Sequence, residues 1–301
     1  IANLPRQSVK SLGLDNATAS ALNPRAVLGV ATAFRLEGPY SNRVGFDGIA
    51  QAMSGATYFA GTEEQPVRAA APWVDFGTAS LLALGIVSAL RARDMTGKGQ
   101  LVEGALLRTA MTFFSTTLIE EDVLKLGRKP TLNRSQTAAP SDIYKTRTGW
   151  ITVAINGDPL FRRVARLIGA PEWIEDKRFA SDKSRGDHGE IISARVAEWC
   201  AARSSDEAIK AFEGARVPAG PVYTMREALD DPHVRASDIL TTTDYPGIGK
   251  APIAATPVKL HGTPGEVRRR APTLGEHSDE ILRELGYSAE EIEDLKRSGV
   301  V

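Results

Sequence analysis

Residues Ala69 to Gln100 read AAAPWVDFGTASLLALGIVSALRARDMTGKGQ, and the placing of charge within them is the most telling feature of the chain. From Phe76 to Leu90 there is no charged residue. Arg91, Arg93 and Asp94 follow, then the turn Thr96-Gly97-Lys98-Gly99-Gln100. A helix that is apolar on every side is a buried one, so the pattern predicts a core helix over 76–93 with a single acid, Asp75, at its mouth. An acid there has two possible uses. Its oxygens can accept the unpaired N–H groups of the first turn as an N-cap, which is the plainer reading of the residue alone. Kept ionised by the positive end of the helix dipole and partly desolvated, it can also serve as a nucleophile.

On both sides of this stretch, strand and helix patterns alternate. Residues 1–25 read as a turn and short helix. The run 26–34, AVLGVATAF, suits a buried parallel strand. Residues 46–55 read as a helix with Asp47 in its first turn, and 101–126 as a second long helix ended by Gly127 and Pro130. The polar stretch 131–141 reads as a linker or active-site loop. Beyond it the texture changes to a hairpin over 143–155, amphipathic helices over 159–168 and 191–203, a helix capped by Ser205, and a proline-broken strand over 217–222. Residues 244–262, rich in Pro and Gly, read as a return linker. Two helices over 278–285 and 288–297, separated by Gly286, close the chain. Together these patterns predict an α/β chain with a second, smaller α+β domain.

The 301 residues suffice for one large or two smaller domains. Thirty-seven basic and 37 acidic side chains cancel, which gives no general pull toward nucleic acid or an anionic membrane. The basic run Arg268-Arg269-Arg270 reads as a solvated loop. The one cysteine, Cys200, follows Trp199 in an apolar stripe and reads as packing; a chain without a disulfide framework fits a reducing, cytoplasmic setting. His188, His233, His261 and His277 are scattered without metal-ligand spacing, so no metal site is expected. The uncharged run 76–90 reads as too short for a membrane span. Gly97 and Gly99 lack the strand before and the GxxGKT pattern after that a phosphate cradle needs, so they read as a tight turn.

Five motifs in order resemble the family III CoA-transferases of the CaiB/BaiF type, the group of formyl-CoA transferase and carnitine CoA-transferase. They are Gly45-Phe46-Asp47, Gln51-Ala52-Met53-Ser54-Gly55, Asp75 with its helix and TGKGQ turn, the run VPAGPV at 217–222, and the run LGEHSD at 274–279. The resemblance implies that Asp75 is the acyl-carrying nucleophile. It implies substrate or CoA contacts at Asn3, Phe46 and Asp47, and amide donors for developing oxyanions from the loop 133–140, with Ser135, Gln136 and Thr137. Arg91, Arg93 and Lys98 have two equal readings, attraction of CoA phosphates and ordinary solvated cations at a helix C-terminus. His277 would order the GEHSD turn. The implied fold has a nucleotide-fold-like large CoA-binding domain over 1–131, a smaller α+β domain with its linkers over 132–262, and a return to the large domain over 263–301. Two ring-like chains would interlock as a homodimer. The family carries a further βαβ segment ahead of the point matching Ile1, with much of the CoA surface. No permanently bound cofactor is implied: coenzyme A enters as an acyl-CoA substrate, and a free carboxylic acid is the second substrate.

Two other readings stand beside this one. The related α-methylacyl-CoA racemases place a histidine where this chain has Phe46, because exchanging a proton on both faces of a carbon needs an acid–base pair. Phenylalanine cannot move protons, and Asp47 is the neighbour that could replace the missing group. The third reading is a non-catalytic acyl-CoA-binding fragment.

Overall fold

Parallel pairing organises the first part of the chain. After two short helices, α1 (Arg6–Ser11) and α2 (Asn16–Leu22), strand β1 (Leu28–Thr32) pairs in parallel with β2 (Leu101–Ala105), in register from Leu28↔Leu101 to Thr32↔Ala105. Ala2 forms a parallel bridge to Val30 on the opposite edge of β1. Parallel neighbours require a crossover. It is made by α3 (Asp47–Met53), the single-turn α4 (Ala56–Phe59) and the long α5 (Trp73–Thr96). The computed structural model describes all 301 residues, which separate into two units, Ile1–Val222 and Tyr223–Val301.

Helix α5 has its expected position but not its expected burial. Val74, Thr78, Leu82 and Ala89 are buried, and the helix packs on β1, β2 and the helix after β2. Its other side is open: Phe76, Leu84 and Val87 are 69%, 64% and 63% exposed. The sequence pattern reports that both faces are apolar, yet this small sheet covers only one of them. At 24 residues α5 is also long and apolar enough to cross a bilayer, where the uncharged run alone read as too short. Its seat on the strand pair is that of an α/β crossover helix. The contact is close: a Cβ on Gly29 would lie 2.5 Å from Ile86 Cδ1, so glycine is what lets strand and helix approach.

The stretch 101–126 is not one helix. Its first five residues form β2, followed by α6 (Leu106–Phe113) and α7 (Ser115–Leu124). A short apolar run does not reveal its type by periodicity, and pairing with β1 makes it a strand. Residues 131–140 contain neither helix nor strand.

The larger core of this unit lies farther along. An antiparallel sheet in the order β3 (Ser141–Lys145), β4 (Trp150–Ala154), β5 (Ala219–Pro221) carries α8 (Asp158–Leu167), α9 (Asp182–Asp187), α10 (Gly189–Ala201) and α11 (Ser205–Gly214). Ile151, Val153, Ile192, Val196, Cys200 and Phe212 are all fully enclosed there. Burial pushes the Cys200 thiol up to about 11, so it packs as a small apolar group. Ser204 rather than Ser205 caps α11, in a capping box with Glu207.

In the second unit, α12 (Met225–Asp230) and α13 (Pro232–Ala236) precede an antiparallel hairpin, β6 (Leu240–Tyr245) and β7 (Gly249–Ala254). This hairpin occupies part of the stretch that composition marks as linker; its Pro246-Gly247 signal belongs to a β-turn. Helices α14 (Ser278–Glu284) and α15 (Ala289–Arg297) follow, with Gly286 at φ +93° between them. The turn before α14 is ordered by Glu276, not His277. The Glu276 carboxylate accepts hydrogen bonds from Arg270 at 2.5 Å and from the Thr273 N–H at 2.7 Å, and these hold its carboxyl at about 2. Arg270 is therefore paired, unlike the solvated role read for its basic run.

Candidate active site

The acid that caps α5 is not Asp75. Pro72, at the N-cap position, has no side-chain acceptor. The unpaired amides of the first turn are met from elsewhere: Asp47 Oδ2 accepts the Val74 N–H at 2.9 Å and the Asp75 N–H at 3.1 Å. Asp47 is 5% exposed and lies 27 residues before Val74. Its other oxygen accepts from the Gln51 amide, and Gln51 Oε1 in turn accepts the Ala69 N–H at 3.1 Å. Asp75, one turn into the helix, is left exposed, with no hydrogen bond or ion pair to its carboxylate. The helix dipole alone would lower its pKa. Partial burial, and then the charge of Asp47, raise it instead.

Asp75 opens into a cavity of about 460 Å³. The wall comes from Ala31, Thr32 and Ala33 at the end of β1, from Gly45 and Phe46, from the α5 residues Thr78, Ala79, Leu82, Ala83 and Ile86, and from Leu106; Ile1 and Asn3 complete it. A crevice at the carboxyl end of parallel strands is the usual ligand position in open α/β sheets. Asp75 is the only titratable side chain in this lining. Phe46, 81% exposed, forms one side of the opening.

The sequence-derived site residues thus fall into two groups. Asn3, Phe46 and Asp75 meet at the cavity, and Asp47 sits behind it as the helix cap. The others lie elsewhere. Arg91 is 16 residues beyond Asp75, roughly 24 Å along the helix, and Lys98 follows the C-cap Gly97. Ser135, Gln136 and Thr137 do not line the cavity. Gln136 Nε2 donates to Lys129 O at 2.6 Å and Gln136 O accepts from Arg128 Nη1 at 3.1 Å, while the Ser135 hydroxyl bonds Thr137. Sequence reasoning quoted Gln51 in a motif but gave it no site role, and it gave none to lining residues such as Thr78, Leu82 and Ile86. The signal for Gln51 was its i+4 spacing from Asp47, which places both on one helix face.

The TGKGQ run is a turn. Gly97 takes φ +73° as the left-handed C-cap of α5, and a Cβ on Gly99 would lie 1.9 Å from the Ala26 carbonyl oxygen. Gly97→Ala is expected to cost about 1 kcal/mol of stability through the left-handed backbone. It should lower the thermal midpoint while leaving the KM for acyl-CoA unchanged; a raised KM would assign the turn to binding.

Comparison with known proteins shows the family of the chain. The model of CoA-transferase family III matches residues 1–278. Succinyl-CoA–D-citramalate CoA-transferase of Chloroflexus aurantiacus is 31% identical over 284 residues, covering 93% of this chain and 71% of the relative. Formyl-CoA:oxalate CoA-transferase of Bradyrhizobium diazoefficiens is 30% identical over 307 residues, with 93% and 71% covered. Among solved structures, a CaiB/BaiF family protein from Brucella suis superposes with a TM-score of 0.73 at 27% identity, covering 94% of this chain and 74% of that one. The protein Rv3272 of Mycobacterium tuberculosis shares the fold, with a TM-score of 0.77 at 23% identity over 92% and 75% of the two chains. A solvent-facing carboxylate at the first turn of a crossover helix, in a cavity at the strand ends, thus occurs in a chain that belongs to CoA-transferase family III, whose enzymes transfer CoA between carboxylic acids.

Proposed function

We propose that the chain transfers CoA from an acyl-CoA donor to a free carboxylic acid through Asp75. The observation that carries this reading is a carboxylate relieved of capping duty and left without a partner at the cavity mouth. The Asp75 carboxylate attacks the thioester carbonyl; the C–S bond breaks, CoA thiolate leaves, and an aspartyl–acyl mixed anhydride forms. The thiolate attacks the aspartyl carbonyl, releasing the donor acid and leaving an aspartyl-CoA thioester. The acceptor carboxylate attacks that thioester, giving a new anhydride and free thiolate. Attack of the thiolate on the acceptor acyl carbon gives the product acyl-CoA and regenerates Asp75. A carboxylate suits both tasks, as nucleophile and, once acylated, as leaving group.

The same cavity disfavours the racemase reading. Proton exchange on two faces needs two titratable groups. Phe46 offers none, and both oxygens of Asp47 are engaged in hydrogen bonds. The reading also includes an interlocked homodimer and the division at residues 131 and 262. It is tested by incubating a chiral 2-methylacyl-CoA with a panel of acids in heavy water and weighing the CoA esters. The expected result is new CoA esters of the added acids, with no deuterium at Cα. Deuterium without CoA exchange would overturn the transferase in favour of the racemase.

A further inference from the structure

We propose that Asp47, backed by Gln51, is a positioning residue for the nucleophile, fixing the first turn of α5 and setting a like charge behind the Asp75 carboxylate. This rests on the reading of Asp75 as the acyl carrier. The geometry is that of a built clamp. Asp47 and Gln51 are 5% and 1% exposed, and a buried carboxylate is tolerated only when its oxygens are hydrogen-bonded. One oxygen holds the Val74 and Asp75 amides, the other the Gln51 side chain, and Gln51 Oε1 ties in the Ala69 N–H. Three separate stretches, around residues 47–51, 69 and 74–75, are thereby fixed to one another. A serine or aspartate at position 72 could have capped the helix locally. The long-range cap does more, because its neighbour Phe46 forms the cavity wall. One backbone segment therefore sets both the wall and the nucleophile.

The electrostatics follow from the same contacts. Asp47 is the charged side chain that acts on Asp75, and together with burial it raises the Asp75 carboxyl. Among the neighbours, α6 contributes uncharged Leu106 to the cavity, Arg68 packs over Gly48 in α3, and Ile1 places the chain's first residue in the wall. A carboxylate with a raised pKa is the more reactive nucleophile once ionised, in line with Brønsted behaviour.

Two variants of the full chain separate charge from geometry. Asp47→Asn keeps an acceptor oxygen for the two helix amides but removes the charge and the acceptor that Gln51 Nε2 uses. It is expected to lower the thermal midpoint slightly, through the Gln51 amide left facing the new NH2, to shift the acid limb of kcat/KM to lower pH, and to lower kcat less than Asp47→Ala does. Asp47→Ala removes the clamp as well and should lose about 100-fold in kcat, the effect of a ~1 Å misplacement, with KM little changed. An acid limb unmoved in Asp47→Asn would overturn the proposal, as would wild-type kcat in Asp47→Ala. If Asp47→Ala fails to fold, the Asn pH profile decides alone. Failure of hydroxylamine to trap acylated Asp75 in the wild type would instead overturn the nucleophile assignment on which the proposal stands.

Discussion

Asp75→Asn is expected to lower CoA transfer by at least about 10³-fold, because it removes the atom that forms the covalent intermediate. The same change should leave the fold intact. Asn caps a helix as well as Asp does, and the amides of this first turn are in any case held by Asp47. The pH dependence of stability sharpens the contrast. A raised carboxyl pKa means that the folded state binds the proton more tightly than the unfolded state. Asp75 therefore costs stability as pH rises through the interval from the ordinary aspartate range to its raised value, and the cost is full above that. The Asn variant lacks this term, so at neutral pH it should be slightly more stable than the wild type. Asp75→Glu keeps the charge but moves it by one methylene, for a loss of about 100-fold. Hydroxylamine added with acyl-CoA should mark the wild-type peptide carrying Asp75 and leave the Asn variant unmarked. Near wild-type turnover in Asp75→Asn would remove the proposed mechanism.

What the sequence could reveal about this site follows a physical division. Local chemistry was legible: an uncharged helical run, an acid at its start, an apolar strand before it and an aromatic at position 46. The family resemblance named Asp75, Phe46 and Asn3, and the fold brings these three to one cavity. Long-range partnering was not legible. Asp47 in a first turn looks like an ordinary helix-start acid, and only the folded chain shows it capping a different helix 27 residues on. The strand Leu101–Ala105 carries an apolar run that fits either period, and its partner β1 decides between them. In the same way the basic side chains Arg91 and Lys98 are near Asp75 in sequence but lie at the other end of a rigid 24-residue rod. The apolar run of α5 was read as a helix buried on every side; it is buried on one, and its other face leaves a demand for burial unmet. Composition states such a demand without saying what meets it.

That unmet demand leads to the second large effect. The open side of α5 presents Phe76, Ser80, Leu84 and Val87 along one helical stripe, continuous over several turns and free of charge. Apolar patches of this extent mark interaction surfaces. In the proposed homodimer, a second copy of the chain covers the stripe. Its interface should exceed the ~2,000 Å² of standard complexes. The wild type is then expected to scatter light as twice the chain mass at micromolar concentration. Leu84→Asp combined with Val87→Asp places two carboxylates in that contact. Desolvating each costs several kcal/mol, and every 1.4 kcal/mol is about tenfold in affinity, so dissociation should weaken the dimer by more than about 10³-fold. Because both side chains face solvent in the single chain, the variant should keep its wild-type circular dichroism. A wild type that runs as a monomer would defeat the proposal, and so would a double variant that keeps the dimer mass.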